Sequence, residues 1–277
     1  MDERLATNRA NWDDRVPVHL SSNFYDVEGW LSSERLPLAR ERAILGDVTG
    51  KTLVHLQCHL GLETLQWARA GAIVTGVDFS PSAIEAAMSL RERTGLSSRS
   101  SFICCDVYDA HVALAGNVFD IVYVSIGSLG WLPDVGRWAH TVTQLLAPGG
   151  TLFVHDVHPF SSCFDDDGEK VIYGYFEEPD GPLVSDTDAT YTDGPTLTST
   201  RSFEWNHSLS EIVQALRDEG LLLEMFEEHD WTFFQQYPWL IEENGVFRVP
   251  ADYPSRPLTF TLLLRSPMTR LTNGHAS

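Results

Sequence analysis

Carboxylates and histidines directly follow several short apolar runs of the chain. Asp78 ends the run at residues 73–78, and Asp106 follows the run at residues 101–105. A carboxylate at the end of a buried strand can accept hydrogen bonds from a ligand, and a histidine can exchange a proton near neutral pH. Asp is also common after any strand, so one carboxylate alone does not establish a site. We therefore expect chemistry where several of these runs end together.

Apolar runs alternate with helical patterns through the centre of the chain. Five runs are typical of buried strands, at residues 52–57, 73–78, 101–105, 119–125 and 151–155. Ser80-Pro81 is a helix start, and a further helix is expected to begin at the capping box Ser208–Glu211. Two more strands are expected at 221–226 and 257–265. This order predicts an α/β fold, Rossmann-like, with a seven-stranded, mostly parallel sheet and helices on both faces.

Two segments lie outside this alternation. Residues 1–49 carry two helical patterns and are expected to form an N-terminal helical cap on a main domain at 50–277. Within that domain, residues 156–205 are rich in Asp, Gly, Pro, Thr and Tyr, which favours an inserted lid over the acceptor. Short strand-like pieces are expected inside the lid, at 171–176, 189–192 and 197–205.

Composition excludes some partners. The net charge of −20 repels phosphate backbones and anionic lipid surfaces, so neither nucleic acid nor membrane is an expected partner. The polar first residues lead us to expect no targeting segment, and the sequence contains no apolar run of about 20 residues. The 4 cysteines lack metal-ligand or redox spacing and are expected to be free thiols in a cytoplasmic protein. The scattered histidines predict no metal site. The sequence leaves the oligomeric state open.

Five short motifs occur in a recognisable order. They are Val-His-Leu-Gln-Cys-His-Leu-Gly at 54–61, Val-Asp-Phe-Ser-Pro at 77–81, Cys-Asp-Val at 105–107, Phe-Asp at 119–120 and Leu-Ala-Pro-Gly-Gly at 146–150. Together they resemble the class I S-adenosylmethionine-dependent methyltransferases, over roughly residues 50–156 by motif and to 265 through the last two strands. Their order and spacing carry the resemblance, since each motif alone is weak.

The resemblance implies S-adenosyl-L-methionine as cofactor and a role for each motif. Gly61 would let the backbone approach the cofactor, and Asp78 would accept both ribose hydroxyls. At the adenine, Phe79 would lie against the ring face, Asp106 would accept from the amine, and Val107 would offer its backbone N–H. The remaining residues expected to bind the cofactor are Gln57 and His59, toward the methionyl tail, and Ser125 at the end of the fourth strand.

The first motif departs from the family pattern of an acidic residue followed by three alternating glycines. His55 stands in the acidic place, Gln57 and His59 replace the first two glycines, and only Gly61 remains. Because two glycines are missing, the sequence does not establish that the loop is tight. The departure indicates a subfamily variant in which the side chains of Gln57 and His59 contact the methionyl tail.

The acceptor is expected at the carboxyl ends of strands four, five and six. His207 and His158 are the leading acceptor-site residues, with Glu228 as a partner or cation anchor and Tyr25 as an aromatic cover over the cofactor. Each has a plainer alternative: His207 caps or packs, His158 shapes the turn before a proline, and Tyr25 packs.

The predicted function is methyl transfer to a small-molecule acceptor through a hydroxyl, an amine or an electron-rich carbon, with a secondary metabolite as one such acceptor. Two alternatives remain open. A dinucleotide-dependent oxidoreductase needs a G-x-G-x-x-G loop, which residues 57–62 do not supply. A non-catalytic protein that keeps the fold and binds a nucleotide-type ligand is compatible with all the motifs.

Overall fold

A computed structural model of the chain describes residues 2–177 and 181–269. The strands, numbered in chain order, are β1 (Thr52–Leu56), β2 (Ile73–Asp78), β3 (Ser100–Cys104), β4 (Phe119–Val124), β5 (Leu146–Val157), β6 (Leu183–Asp186), β7 (Arg201–Glu204), β8 (Leu222–His229), β9 (Trp231–Thr232), β10 (Ile241–Glu243), β11 (Val246–Arg248) and β12 (Thr259–Arg265). The α-helices are α1 (Glu3–Ser21), α2 (Val27–Ser32), α3 (Ala39–Leu45), α4 (Leu62–Arg69), α5 (Pro81–Arg93), α6 (Ala110–Ala113), α7 (Val135–Leu145) and α8 (Leu209–Asp218).

The central sheet has seven strands in the order β3-β2-β1-β4-β5-β12-β8. The first five pair in parallel, and β12 runs antiparallel to both β5 and β8. The fold prediction is confirmed: a mostly parallel sheet lies between helices, and β8 and β12 are the expected sixth and seventh strands. The carboxyl ends of β1 to β5 meet at one edge, where a ligand of such a sheet binds.

Helices α5 and α8 each begin after a serine whose side chain caps the first turn. Ser80 Oγ accepts the N–H of Ala83 at 3.0 Å, with Pro81 in the first turn of α5. Ser208 Oγ accepts the N–H of Glu211 at 3.3 Å at the start of α8. These caps fix where each helix leaves the strand edge. The N-terminal segment contains three helices, one more than its sequence pattern indicated.

Both faces of the sheet are buried. On one face, Trp138 of α7 and Leu216 of α8 pack with Val154 and Leu262 of the sheet. On the other face lies a cluster that contains Trp67 of α4. Because apolar layers clamp the sheet from both sides, its strand ends are rigid supports for polar groups.

The segment after β5 has fewer strands than expected. It contains the hairpin β6–β7, so the piece expected at 197–205 is shortened to β7, and no strand forms at 189–192. At 171–176 there is only an isolated bridge between Phe164 and Val171. The apolar side chains there, such as Val171 at 62% exposure, face solvent and have no sheet to join. A separate sheet, β10-β11-β9, follows β8 and was not expected.

Helix α1 binds this segment through polar side chains. Asn8 donates to Phe203 O at 2.8 Å and accepts from Phe203 N at 2.7 Å. Asn11 donates to Ser199 O at 2.6 Å, and the Asp14 carboxylate accepts the Ser199 N–H at 2.8 Å. The cap and the segment after β5 thus form one layer. Within the residues described, no helix is both long enough and apolar enough to span a bilayer.

Candidate functional site

The loop between β1 and α4 has a left-handed backbone at three alternating positions. Gln57 has φ 57°, His59 has φ 47° and Gly61 has φ 71°. These are the places where the family pattern has glycines, so the loop is tight although two of the three residues carry side chains. Left-handed backbone costs a residue with a Cβ about 1 kcal/mol, and the surrounding contacts must offset this.

Asp78 fastens this loop to the end of β2. Its Oδ2 accepts the backbone N–H of His59 at 2.8 Å, and its Oδ1 accepts that of Ser80 at 2.9 Å. Burial is the main cause that raises the pKa of Asp78 to about 6, and the nearby carboxylate of Asp13 adds to it. Each carboxylate oxygen keeps a second lone pair, so the geometry still fits a ribose diol.

Gly61 lacks a Cβ for a packing reason. A Cβ at this position would lie 2.6 Å from the ring of Phe102, and one at Gly76 would lie 2.5 Å from the same ring. The phenyl ring therefore occupies the space that two glycines leave. The expected reason for Gly61, close approach of the cofactor, is thus joined by a steric requirement from β3, and Gly76 is a packing position.

Gln57 presents an unpaired acceptor. Its Nε2 donates to Ser128 O at 2.9 Å, while its Oε1 is buried without a hydrogen-bond partner among the residues described. A buried amide oxygen needs a donor, and the ammonium of a methionyl tail would supply one. The residues of this loop therefore fit S-adenosylmethionine.

The expected adenine side lies at the next strand ends. Asp78 of β2 pairs with Cys104 of β3 in the sheet, which brings Asp106 and Phe79 to the same edge. Asp106 accepts the N–H of Tyr108 at 3.1 Å, and burial raises its pKa. Phe79 is half-buried. The roles of Asp106, Val107 and Phe79 toward adenine stay predictions.

A buried polar layer supports the loop from below. His55 contacts Thr64 Oγ1 through Nδ1 at 2.8 Å and Ser125 Oγ through Nε2 at 2.9 Å. Burial lowers the pKa of His55 to about 3, so the ring is neutral. Ser125 also hydrogen-bonds Glu63, whose pKa is raised by burial. His55 thus links β1, α4 and the end of β4 where the family pattern has a carboxylate.

Rings and histidines gather above the loop. His19 Nδ1 lies 2.8 Å from His59 Nε2, and Tyr25 and Trp12 lie with ring centroids 5.8 and 5.1 Å from that of His59. The hydroxyls of Tyr25 and Tyr191 are 2.5 Å apart. We call these five residues the loop cluster. Tyr25 thus contacts the candidate cofactor loop, and its role as a cover stays a prediction.

A second group surrounds the end of β5. The centroid of the His155 ring lies 5.6, 5.2 and 5.1 Å from the ring centroids of His229, Trp231 and Phe233, respectively. Both ring nitrogens of His155 are buried and unpartnered among the residues described, and burial lowers its pKa to about 3. We call these four residues the His155 cluster. Phe234, next to Phe233, lies 6.3 Å by ring centroids from Tyr191, so the two clusters are neighbours.

Sequence reasoning missed most of these residues. His19 and Trp12 lie in the N-terminal segment and Tyr191 lies in the segment after β5, where no motif indicated a ligand. His155 carried a usable signal, since a histidine at the carboxyl end of a predicted strand is a candidate of the same kind as Asp78. The aromatic run Trp231-Thr-Phe-Phe after the sixth strand carried another.

The expected acceptor-site histidines contact other groups. His207 lies with its Nε2 2.7 Å from Leu132 O and its Nδ1 3.2 Å from Glu211. His158 accepts the Phe160 N–H at Nδ1 and contacts Glu228 through Nε2 at 2.8 Å. Both nitrogens of each ring are therefore engaged. These contacts favour the plainer alternatives of capping and turn formation, and the exposed Glu228 pairs with His158.

Comparisons with known proteins agree with this geometry. Residues 54–154 match the family described as a methyltransferase domain. Phosphoethanolamine N-methyltransferase 1 of Triticum aestivum is 30% identical over 143 residues, 50% of this chain and 27% of that protein. Ubiquinone biosynthesis O-methyltransferase of Photorhabdus laumondii is 27% identical over 143 residues, 50% of this chain and 58% of that protein. The chain thus spans less than two thirds of these relatives.

The fold is also found among solved structures. The CcbJ methyltransferase of Streptomyces caelestis superimposes with a TM-score of 0.60 at 12% identity, covering 94% of this chain and 99% of that one. At this identity the likeness shows the fold alone. Residues 54–154 are thus similar to a methyltransferase domain, and they lie on a sheet of this fold beside a loop that fits S-adenosylmethionine.

Proposed function

We propose that the chain transfers a methyl group from S-adenosylmethionine to a small-molecule acceptor held between the loop cluster and the His155 cluster. The observation that carries this proposal is His155, a buried histidine with two unpartnered nitrogens among aromatic rings at a strand end. A buried polar group without a partner is uncommon in a folded protein, and a ligand is one reason for it.

The chemistry of the two clusters supports a flat, mostly apolar acceptor. Aromatic side chains offer ring faces and edges, and the imidazoles offer a few hydrogen-bonding atoms, which is the usual composition of a small-molecule site. Burial lowers the pKa of both His19 and His155 to about 3, so these rings are neutral at physiological pH. Neutral rings orient a hydroxyl or amine without binding an anion through charge.

The protein's part in such a transfer is positioning. S-adenosylmethionine would supply the methyl group: its bond to the sulfonium sulfur would break as the bond to the acceptor's nucleophilic atom forms. S-adenosylhomocysteine would leave with the electron pair of the broken bond, and the proton of the acceptor's hydroxyl or amine would pass to solvent. The loop at 57–61 and Asp78 would fix the donor, while the two clusters fix the acceptor and exclude water. His155 would accept a hydrogen bond from the acceptor's hydroxyl or amine, which holds the lone pair of that atom in line with the methyl group.

The test is a transfer assay with methyl-labelled S-adenosylmethionine and a panel of phenols, aromatic amines, and aliphatic alcohols and amines of similar size. We expect label on an aromatic hydroxyl or amine. His155→Phe should keep cofactor affinity and lower turnover at least tenfold, while His140→Phe, a change at an exposed histidine of α7, should keep both. Label on RNA alone, or cofactor binding without transfer to any acceptor, would contradict the proposal.

A further inference from the structure

We propose that His207, Glu211 and Glu177 form a binding site for a divalent transition-metal cation such as Zn²⁺. Each residue offers one ligand atom, and these atoms all lie within 4.8 Å of one another. The site lies where the segment after β5 meets the start of α8, and none of its three residues belongs to either cluster. The proposal replaces the expectation from sequence that the chain has no metal site, and it is independent of the methyl acceptor.

The orientation of His207 is the main argument. The residue is 3% exposed, and its Nε2 is 2.7 Å from the carbonyl oxygen of Leu132. A carbonyl oxygen only accepts, so Nε2 carries the hydrogen and donates it. In a neutral ring the lone pair is then on Nδ1. Histidines that bind metals commonly show this arrangement, with the other ring N–H donated to a backbone carbonyl.

The lone pair of His207 faces a negative group. Nδ1 lies 3.2 Å from a carboxylate oxygen of Glu211, one helical turn along the chain. A lone pair and a carboxylate repel each other unless a cation lies between them. A metal ion is such a cation. A second carboxylate, from Glu177, favours a divalent ion, whose two charges balance two carboxylates.

Glu177, the third proposed ligand, is held in place by its neighbours. The side chain of Asn206 donates to Gly174 O at 2.8 Å, and the hydroxyl of Tyr175 accepts the N–H of Leu209 at 3.2 Å. These bonds tie the chain just before Glu177 to the residues on either side of His207. The carboxylate of Glu177 therefore stays within reach, and a change of side-chain rotamer brings it to the ion.

The donor set decides the class of ion. One imidazole nitrogen and two carboxylate oxygens suit Zn²⁺, Mn²⁺ and similar cations, whereas Ca²⁺ and Mg²⁺ prefer oxygen alone. Zinc holds such ligands at about 2.0–2.2 Å, so both glutamates would turn inward on binding. Two carboxylates would neutralise the charge of the ion, and a net charge of −20 attracts cations to the protein. The bound ion would fasten the segment after β5 to α8.

The experiment is calorimetric titration of Zn²⁺ into chelator-stripped, full-length protein at neutral pH, with thermal unfolding in parallel. We expect one ion per chain and a higher melting temperature with the ion. Glu177→Gln should weaken binding at least tenfold. Since Glu177 is exposed, this variant should fold as the parent does, and it keeps the test valid if His207→Gln does not fold.

Two controls separate this site from other zinc ligands. His140→Gln changes an exposed histidine that faces Glu219 without a third ligand, and it should bind zinc like the parent protein. Cys104→Ser removes an exposed thiol and should also leave binding unchanged. No saturable binding, or binding that Glu177→Gln does not weaken, would overturn the proposal.

Discussion

The half of the molecule that holds the candidate cofactor site and the half that faces the proposed acceptor site, here called the acceptor half, are built differently. In the cofactor half, backbone ladders of β1 to β4 place Asp78 and the loop at 57–61, and apolar layers clamp the sheet. In the acceptor half, side chains of α1 bind the backbone of β7 and the chain before it. The first half is held by contacts that many sequences can make, the second by particular amide and carboxylate groups.

This difference separates a general support from a specific one. A strand ladder holds its end in place whatever its buried side chains are, provided they are apolar. A bond from Asn8 to a backbone group fixes one partner, so it aligns α1 with β7 in a single register. We infer that the acceptor half is where specificity is set, and that the cofactor half tolerates change around its few ligand atoms.

The largest expected effect is in the cofactor half. Asp78→Ala removes the carboxylate that would bind the ribose and that fastens the loop through His59. Losing a charge-assisted bond costs about 1.5–3 kcal/mol, so affinity for S-adenosylmethionine should fall by roughly ten- to a hundredfold. Isothermal titration calorimetry measures this affinity. Asp252→Ala, at an exposed carboxylate before β12, is the matched control and should bind normally; equal affinity in both variants would refute the ribose role.

The next effect is in the acceptor half. Asn8→Ala leaves both the N–H and the carbonyl of Phe203 without their partner, which costs about 1–3 kcal/mol of unfolding free energy. Backbone amides at 198–204 should exchange faster with solvent, while those of β1 and β4 keep their protection. Hydrogen exchange with mass spectrometry distinguishes the two halves. Asn117→Ala, a change at an exposed amide before β4, should alter neither the unfolding free energy nor the exchange rates. If Asn8→Ala instead lowers protection equally in both halves, the two halves unfold as one unit.

Cofactor affinity should depend on pH through Asp78. Burial raises the pKa of Asp78 to about 6 in the ligand-free protein, so the carboxylate is ionised above this pH and protonated below it. Cofactor affinity should be constant above about pH 7 and fall as pH decreases through 6, by at most about tenfold per unit. His19 and His155, with pKa values lowered to about 3, stay neutral over this range and add no step.

The matched variant for this titration is Asp78→Asn. An amide does not titrate, so its weaker binding should be independent of pH between 5 and 8. Calorimetry in buffers of different ionisation enthalpy counts the protons taken up or released on binding. A sloped profile in the asparagine variant would assign the titration to another group.

The same contrast explains what the sequence could predict. Strands β1 to β5 were recognised because each is a short apolar run bounded by turn residues, and Asp78 and Asp106 because they follow such runs. Ser80 and Ser208 marked helix starts through bonds to residues three positions away. All these signals are local in the sequence, and apolar burial on both faces of the sheet reinforces them.

The contacts that the sequence did not predict join residues that are far apart in the chain. Asn8 and Phe203 are far apart in the sequence, as are Tyr25 and Tyr191, and no local pattern indicates that these partners meet. His207 was expected near the acceptor because histidines titrate near neutral pH, yet its partner Leu132 O belongs to the backbone and leaves no trace in residue type. The expectation of no metal site stays a prediction; it rested on residue spacing, and a residue in a distant loop such as Glu177 forms no spacing to recognise.

The smallest effect isolates the backbone of the loop itself. Gln57→Ala and Gln57→Gly both delete the bond from Nε2 to Ser128 O, so they differ only in the Cβ. Gln57 has φ 57°, and glycine adopts this conformation without the penalty that a Cβ brings. The glycine variant should therefore be more stable than the alanine variant by about 1 kcal/mol, or about 2–4 °C in melting temperature. Calorimetric unfolding measures the difference, and glycine being the less stable of the two would show that the loop relaxes out of the left-handed region. If both variants also bind the cofactor as tightly as the parent protein does, the backbone rather than the Gln57 side chain holds the methionyl tail.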